Sequence, residues 1–547
     1  MAALGRAENT KAFYDQGFWR GDTIYELARD HAAKWPEKTA VRERHRAVTY
    51  AQLLDAADRF AGTLARAGLE PSDRVAVWLP NRAETAAALL ACSRNGYVCC
   101  PSLHRAHRAG EIVELLDRMR AAALIAEAEY GADGAEEDIF KDAAGIASLK
   151  YIHRVEPITD RDAGLLPHLT VRPERADVLT DPDSVVYLAF TSGSTGRPKG
   201  VLHSDNTLLA NARALATDWA LDTDMIVYSL SPLSHNLGWG AMIMTLTGGG
   251  TFIVQDLDRG DSLLERISAT GATFLFGVPT HAIDLLAELR AAGSGAETIN
   301  GFRISGASIP HEIAASLLEH GITPQSGYGM TEAGSHHYTL PSDEPQMIIQ
   351  TSGRAAPGYK VKIFSIEDPD KELPAGETGE IGGRGASLML GYFDDPEEYR
   401  SAFNSSGWFM TGDLGWVDED GFIRITGRKK DVIIRGGHNI NPVHIETLAV
   451  RHALVERAAV IPVSDERLGE KACIVLQLKG GATLKVDELL AYLDDCKLSK
   501  YDMPEYFLVL DTIPLTPSGK LHKRELVAWV EDGQIKPMPS HFRSGAR

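Results

Sequence analysis

The stretch "TSGSTGRPKG" occupies residues 191–200, directly after the apolar run "VVYLAF". Its ten residues hold three glycines, four hydroxyl side chains and one lysine, and such a loop after a strand can present backbone N–H groups to an anion. The order of residues does not fit the Walker A pattern G-x-x-x-x-G-K-S/T, so a P-loop nucleotidase loses its main support. Composition alone leaves two alternatives, a phosphate-binding loop and a Ser/Gly connector.

Strand and helix patterns alternate on both sides of this loop. "TYAQLLDAADRFAGTLARAGL", which starts at Thr49, has apolar residues at helical spacing and a probable C-terminal glycine, Gly68. Short β-branched or aromatic runs such as "DRVAVWLP" and "ATFLFGVPT" are separated by further helical stretches. This alternation predicts α/β units on largely parallel sheets, with ligand loops at the strand ends. After about Gly353, short runs broken by Gly, Pro and Asp predict β-hairpins.

Length and composition limit the classes of protein. At 547 residues the chain exceeds the usual size of one core, so we predict at least two domains. A net charge of −19 argues against a broad nucleic-acid or anionic-membrane surface. The five cysteines show no C-x-x-C spacing, which argues against a disulfide framework or a zinc site. The lack of a signal-like or membrane-spanning apolar stretch predicts a cytoplasmic protein with no integral membrane contact.

Four further stretches carry candidate chemistry. They are "SGYGMTEAG" at residues 326–334, "TGDLG" at 411–415, "TGRKKDVIIRGG" at 426–437 and "PLTPSGK", which ends at Lys520. Each alone is compatible with ordinary solvated or core side chains. Together with the loop at 191–200, in this order and at these intervals, they resemble the adenylate-forming superfamily, which includes acyl-CoA synthetases, adenylation domains of peptide synthetases and luciferases. The stretches "GYFDDPE" and "SDERLGEKA" look most like bacterial acyl-CoA ligases for short- to medium-chain and alicyclic acids.

The resemblance spans nearly the whole chain and implies a fold. It implies an α/β protein with a large N-terminal domain, built from two mainly parallel α/β sheets and a β subdomain, and a small mobile α+β C-terminal domain. The predicted ATP- and acid-binding domain covers residues 1–428, and the predicted lid covers residues 429–547 with its hinge at Lys430. The implied substrates and cofactors are a carboxylic acid, ATP, Mg²⁺ and coenzyme A, and a homodimer is left open.

The resemblance also implies roles in joining a carboxylate to the α-phosphate of ATP. Lys520 would contact both the carboxylate and the bridging phosphate oxygen. Thr331 would hydrogen-bond the α-phosphate and Glu332 would hold Mg²⁺. Tyr328 would stack on adenine, while Asp413, assisted by Arg428, would accept from the ribose hydroxyls. The other implied ATP or AMP ligands are Thr191, Ser192, Gly193, Ser194, Thr195, Gly196, Lys199, Gly306, Ala307, Ser308, Gly327, Gly329 and Met330.

The acid and thiol sites follow from the same resemblance. His235 would lie near the carboxylate as a catalytic residue, and His336 and His337 would either line the pocket or cap a turn. The absence of Lys and Arg from "SHNLGWGAM" favours a monocarboxylic, apolar acid. After a rotation of the small domain, Gly436 and Gly437 would line the pantetheine channel. The remaining acid-pocket candidates are Gly238, Trp239, Met242, Thr280 and Gly327.

The sequence therefore favours an AMP-forming carboxylate-CoA ligase for a short- or medium-chain or alicyclic acid. An aryl-acid-CoA ligase stays open, because "FYDQGFWRGDTIYELARDHA" also resembles aryl-acid-activating members. An adenylation enzyme that loads a carrier protein stays open as well. A non-catalytic nucleotide-binding scaffold would be expected to lack Glu332 or Lys520, and both are present.

Overall fold

The computed structural model describes residues 7–158, 164–173, 178–179, 181–191, 198–258, 260–307, 309–436, 438–515 and 521–540. The chain forms two compact units. The first comprises Met1–Lys360 and Arg384–Phe403, and the second comprises Val361–Gly383 and Asn404–Arg547. The predicted domains are defined by a motion about a hinge at Lys430, with a boundary at residue 428. This boundary and the hinge stay predictions.

A nine-stranded sheet forms the larger part of the first unit. Its inner strands, from Thr323–Met330 to Thr39–Arg42, run parallel, and antiparallel strands complete both edges. The sheet order is Arg354–Ala355, Gly334–Tyr338, Thr323–Met330, Gly301–Ile304, Phe274–Gly277, Ile226–Ser229, Thr251–Ile253, Thr39–Arg42 and Ala47–Thr49.

A second, seven-stranded sheet of the same unit carries the loop at 191–200. The strand before the loop pairs in parallel with the interior of the sheet and antiparallel with the strand after the loop. The sheet order is Gly391–Tyr392, Lys199–Ser204, Val185–Thr191, Val98–Cys100, Arg74–Trp78, Ala121–Glu127 and Tyr151–Val155.

Helices of the first unit start at the capping residues that the sequence offers. Thr49 and Gln52 form a capping box at the start of Tyr50–Arg66, and Gly68 follows that helix with φ of 85°, as the sequence predicts. Ser204 caps Asp205–Asp218, which packs beside Asn236–Gly248. The other helices are Ala7–Asp15, Ile24–Lys34, Ala83–Asn95, Ala109–Arg118, Ile139–Ala143, Leu263–Thr270, Pro279–Ala292, His311–Glu319, Pro345–Gln350 and Pro396–Ser401.

The second unit contains two further sheets. An antiparallel sheet has the order Tyr359–Phe364, Gly379–Gly385, Phe409–Val417 and Ile423–Arg428, which is the predicted β subdomain. A six-stranded sheet consists of His438–Ile440, Ile433–Arg435, Gly469–Leu478, Tyr506–Val509, Met538–Pro539 and Val455–Asp465. The helices of this unit are Pro442–Val450, Val486–Asp495 and Lys523–Glu531, with a short 3₁₀ turn at Lys429–Asp431.

The predicted fold class is confirmed, because two mainly parallel sheets with helices are followed by a β sheet and an α+β part. Apolar side chains of helices and strands fill separate cores in the two units. Across the described ranges, no helix is long and apolar enough to cross a membrane.

Candidate active site

The predicted phosphate loop connects two paired strands. Thr191 ends the strand Val185–Thr191 and lies opposite Lys199, the first residue of the returning strand. The loop thus follows a strand, as its position in the sequence predicts. Ser192, Gly193, Ser194, Thr195 and Gly196 lie outside the described residues.

Lys199 has a carboxylate partner in this structure. Its Nζ forms an ion pair with Glu398 and lies 5.2 Å from the centroid of the Tyr392 ring. A lysine that is already paired can bind a phosphate only by leaving or sharing its partner. The role of Lys199 as a phosphate ligand stays a prediction, and the structure adds Glu398 as a competitor.

Thr331 and Glu332 lie in the turn that joins Thr323–Met330 to Gly334–Tyr338. The turn is held by His203, a buried residue of the strand Lys199–Ser204 that the sequence analysis missed. His203 Nε2 lies 2.7 Å from the carbonyl oxygen of Thr331. Because a carbonyl only accepts, Nε2 carries the proton, and Nδ1 lies 3.0 Å from Thr207 Oγ1.

The Glu332 carboxylate is oriented by a tyrosine. Tyr392 Oη donates to Glu332 Oε1 at 3.1 Å, and the backbone N–H of Met389 donates to the Glu332 carbonyl oxygen at 2.7 Å. Burial, and then Glu332, raise the pKa of Tyr392, so the phenol stays a donor. A carboxylate beside a threonine hydroxyl offers the hard oxygen ligands that Mg²⁺ prefers. Within the described ranges no cluster of three or more His, Cys, Asp or Glu could hold a metal ion.

The glycines around Tyr328 are required by close packing. A Cβ at Gly327 would lie 2.3 Å from Cζ of Arg303, and one at Gly329 would lie 2.4 Å from the Gly334 carbonyl oxygen. Tyr328 itself is buried, with its ring edge-on to His336 at a centroid distance of 4.7 Å. Its predicted stacking on adenine is not tested by these contacts.

Other predicted nucleotide ligands flank the same strand ends. Met330 ends its strand, and its carbonyl oxygen accepts from Asn236 Nδ2 at 3.4 Å. Gly306 follows Gly301–Ile304 with φ of 95°, and Ala307 beside it is exposed. Ser308 lies outside the described residues.

A cavity with about 470 Å³ of empty space, part of it open to solvent, lies beside this turn. Helices Asp205–Asp218 and Asn236–Gly248 supply most of its walls. Its lining consists of His203, Thr207, Leu208, Asn211, Ala212, Leu215, Asn236, Leu237, Trp239, Gly240, Ile243, Phe276, Gly334, Ser335 and Ser387.

Only Trp239 of the predicted acid-pocket residues lines this cavity. The reason is helical geometry, because residues 236, 239, 240 and 243 share one face of their helix. Gly238 and Met242 lie on another face, where Gly238 packs against the backbone at Pro232 and Met242 is in the core. The remaining candidates, His235, Thr280 and Gly327, are also absent from the lining. His235 precedes its helix, Thr280 is in the first turn of Pro279–Ala292, and Gly327 lies under Arg303.

His235 is the N-cap residue of Asn236–Gly248, and its ring stacks on another imidazole. The centroids of His235 and His104 are 4.2 Å apart at an interplanar angle of 19°. Burial, with His235 and His107 nearby, lowers the pKa of His104 to about 3, so His104 is neutral at physiological pH. The sequence analysis missed His104 because it lies in a loop far from His235 in the chain.

The predicted ribose ligands lie in the second unit. Arg428 Nε is 3.0 Å from Oδ1 of the buried Asp413, in adjacent antiparallel strands. Glu380 accepts from Lys429 Nζ at 2.8 Å and from the backbone N–H of Gly412 at 3.2 Å. The structure therefore brings Asp413 and Arg428 together as the sequence predicts.

The predicted hinge and thiol-site residues also belong to the second unit. Lys430 is exposed in the turn Lys429–Asp431. Gly436 has φ of 56°, and its N–H donates to the Leu468 carbonyl oxygen at 2.7 Å. Gly437 and Lys520 lie outside the described residues.

The motifs, in this order on this fold, are those of an adenylate-forming enzyme. The model for AMP-binding enzymes matches residues 28–393, and the model for the AMP-binding enzyme C-terminal domain matches residues 444–520, so the chain belongs to the AMP-binding enzyme family.

Two relatives and one solved structure show the extent of the similarity. The chain is 31% identical to the medium-chain fatty-acid–CoA ligase of Escherichia coli (strain K12), over 94% of this chain and 91% of that one. It is 32% identical to a feruloyl-CoA synthase of Amycolatopsis sp, over 90% of this chain and 96% of that one. The crystal structure of ATP-bound MatB from Rhodopseudomonas palustris matches 92% of this chain and 99% of its own, with a TM-score of 0.81 and 28% identity.

Proposed function

We propose that this protein is an AMP-forming acid–thiol ligase. It activates a monocarboxylic, largely apolar acid with ATP as an acyl-adenylate and transfers the acyl group to coenzyme A. The observation that carries the proposal is the double position of His203, which lines the cavity and also bonds the carbonyl oxygen of Thr331. The cavity and the turn that bears the proposed phosphate and Mg²⁺ ligands are therefore joined through His203.

In the adenylation step, an oxygen of the acid's carboxylate attacks the α-phosphorus of ATP and pyrophosphate leaves. Both reactants are anions, so the protein must offset their repulsion and hold them in line. Thr331 donates to an α-phosphate oxygen, and Glu332, oriented by Tyr392, would hold Mg²⁺. A bound Mg²⁺ neutralises phosphate oxygens. Lys520 supplies the positive charge at the carboxylate, and Lys199 exchanges Glu398 for a phosphate oxygen.

Other assignments of the proposal rest on the family resemblance. Tyr328 stacks on adenine, Asp413 with Arg428 holds the ribose, and Gly436 with Gly437 admits pantetheine. Lys430 is the hinge, and a homodimer stays open. In the second step the thiol of coenzyme A attacks the acyl carbon, and AMP leaves.

The acid's identity is supported by the lining of the cavity. Leu208, Leu215, Leu237 and Ile243 suit an alkyl or alicyclic body. Trp239 and Phe276 line it as well, and this observation favours an aryl acid as a second candidate. The two relatives, a medium-chain fatty-acid–CoA ligase and a feruloyl-CoA synthase, represent the same two classes of acid.

The test measures pyrophosphate and AMP release from Mg-ATP with straight-chain, alicyclic and aromatic acids, each with and without coenzyme A. Thioester formation with AMP release supports the ligase. Pyrophosphate exchange that coenzyme A does not convert into thioester points instead to a carrier protein as the acceptor. No exchange with any acid rejects the proposal.

Lys520→Ala separates the two half-reactions. Adenylation should fall by about 100-fold or more, because the charge at the reacting carboxylate is lost, whereas thioester formation from a supplied acyl-adenylate should persist. Lys479→Ala, which removes an exposed lysine of the same unit, is the matched control. Equal loss in both half-reactions would contradict the assignment of Lys520.

A further inference from the structure

Unpaired buried polar atoms are concentrated beside the acid cavity. Among the described residues, the atoms of this region without a hydrogen-bond partner are Trp239 Nε1, Arg303 Nε and Nη2, Gln325 Nε2, His336 Nε2, His337 Nε2 and Tyr359 Oη. Most buried polar groups in native proteins are paired, since an orphaned donor costs free energy. Such a concentration calls for partners beyond the described residues.

Arg303 lies next to the cavity on the same face of the nine-stranded sheet. Phe276, which lines the cavity, is the register partner of Arg303 on the neighbouring parallel strand, and Arg303 is in turn the partner of Gln325. Partners in register point to the same face of a sheet. The guanidinium lies over Gly327, where a side chain would collide with it. Arg303 is thus the next side chain beyond Phe276 along this wall.

The guanidinium of Arg303 is buried without a counter-ion. It is fully buried, its Nη1 donates to Gln325 Oε1 at 3.1 Å, and it lies 5.5 Å from the centroid of the Tyr338 ring. In the part of the chain that the structure describes, no carboxylate forms an ion pair with it. Burial lowers its pKa to about 10, so it is still protonated at neutral pH. A buried charge of this kind normally has a paired acceptor.

The histidine pair adds a further donor. His336 Nδ1 and His337 Nδ1 are 2.7 Å apart, so one proton lies between them. Burial lowers the pKa of His337 to about 3 and that of His336 well below its ordinary value, which makes both rings neutral. The ring that accepts at Nδ1 must therefore carry its proton on Nε2, for which the described residues offer no partner.

Trp239 places one of these unpaired donors in the cavity lining itself. Its indole N–H can only donate, it has no partner among the described residues, and the side chain both lines the cavity and stacks on Tyr187 at 5.0 Å. An unsubstituted hydrocarbon in the cavity would leave these donors unpaired. A ligand with an acceptor oxygen would pair them.

We infer that the acid bound in this cavity carries, besides the carboxylate that is activated, a second oxygen that accepts hydrogen bonds, either a carbonyl or a second carboxylate, and that Trp239 and Arg303 recognise it. The inference rests on the proposed function and refines its description of the acid body. It makes Trp239 and Arg303 specificity residues, whose contribution is the discrimination between an oxygenated acid and its plain analogue.

The test compares acids of equal length, namely decanoate, 9-oxodecanoate and decanedioate, by kcat/KM for AMP release with Mg-ATP and coenzyme A. We expect an oxygenated acid to be preferred by roughly tenfold or more, because one well-paired hydrogen bond in a dry site is worth about that factor. A preference for the oxo acid identifies a neutral acceptor. A preference for the diacid identifies a charged one and replaces the monocarboxylic part of the proposed function.

Two variants test whether Trp239 and Arg303 cause the preference for an oxygenated acid. Trp239→Phe removes the N–H and keeps a ring, and Arg303→Met removes the charge. Each should bring the ratio of kcat/KM for the oxygenated and plain acids close to one. The matched control is Trp219→Phe, because the Trp219 N–H already donates to the Thr339 carbonyl oxygen at 3.1 Å, and it should leave the ratio unchanged.

The outcomes distinguish a failure of this inference from a failure of the proposed ligase function. A wild-type enzyme that turns over decanoate and both oxygenated acids equally overturns this inference and leaves the ligase intact. A preference that survives both variants overturns the assignment to Trp239 and Arg303. If Arg303→Met does not fold, Trp239→Phe alone decides. An enzyme that turns over no acid of any class rejects the proposed function instead.

Discussion

His203 Nε2 lies 2.7 Å from the carbonyl oxygen of Thr331, so one imidazole forms a wall of the cavity and also fixes the turn that carries Thr331 and Glu332. A substrate in contact with this ring would therefore be separated from Thr331, the proposed phosphate ligand, only by the His203 side chain. The geometry explains how the reacting carboxylate and the α-phosphate can be aligned by a single buried side chain.

We expect His203→Phe to lower kcat/KM for the acid by about 10- to 100-fold, because the turn loses its hydrogen bond and shifts relative to the cavity. Steady-state kinetics with a saturating concentration of ATP measure this effect. His320→Phe makes the same chemical change at a helix end of the same unit, where His320 Nδ1 is 2.8 Å from the Ser316 carbonyl oxygen. A comparable loss in that control would show that the effect is not specific to the turn.

Glu332→Gln tests the proposed Mg²⁺ ligand. The amide keeps an oxygen that can accept from Tyr392 but loses the negative charge, so the Mg²⁺ concentration that gives half-maximal activity should rise by roughly 10- to 100-fold. Titration with Mg²⁺ at fixed ATP measures it. Tyr392→Phe, which removes only the donor to Glu332, should shift the same titration by less. An unchanged Mg²⁺ dependence in Glu332→Gln would remove this residue from the metal site.

Glu398→Gln tests the competition for Lys199. Since Lys199 must leave or share its ion pair with Glu398 to bind phosphate, the amide should lower the KM for ATP, by up to about fivefold for a partly exposed pair. Lys199→Ala should raise that KM. If both variants raise the KM for ATP, Glu398 supports the nucleotide site and does not compete with phosphate for Lys199.

The paired histidines predict a loss of stability in mild acid. Their pKa is lowered by burial, to about 3 for His337, so below about pH 6.5 the unfolded chain binds protons that the folded protein does not. Stability should therefore fall as the pH decreases from 7 to 5, by about 2 kcal/mol for each such histidine. Thermal unfolding midpoints across this range measure the slope.

His337→Leu should reduce that pH dependence, whatever its effect on stability at pH 7. His45→Leu, which alters an exposed side chain, is the matched control. A slope that is the same in wild type and His337→Leu would mean that His337 is charged in the folded protein.

The sequence predicted those features that depend on local pattern. Alternating strands and helices predicted two mainly parallel sheets, and the break after Gly353 predicted the β sheet around Phe409–Val417. The pairing of Asp413 with Arg428 followed from their motifs and is present in the structure.

The parts that sequence missed depend on which helix face meets which sheet. The cavity uses Thr207, Asn211 and Leu215 of a helix whose sequence shows only an ordinary helical pattern. The stretch around Trp239 contains no basic residue, whereas Arg303 lies beside Phe276 of the cavity wall on a different strand. Neighbours in a parallel sheet are distant in the chain, so no local motif could have indicated them.

The bare backbone at Gly327 has a consequence for redesign of the enzyme. The space that a methyl group would need there is occupied by the Arg303 guanidinium, 2.3 Å from where the carbon would lie. Replacing this glycine by alanine would displace the arginine without altering any residue of the cavity lining. Because the inference makes Arg303 a specificity residue, a single methyl group at Gly327 would reduce the preference of the enzyme for oxygen-bearing acids over plain hydrocarbon acids.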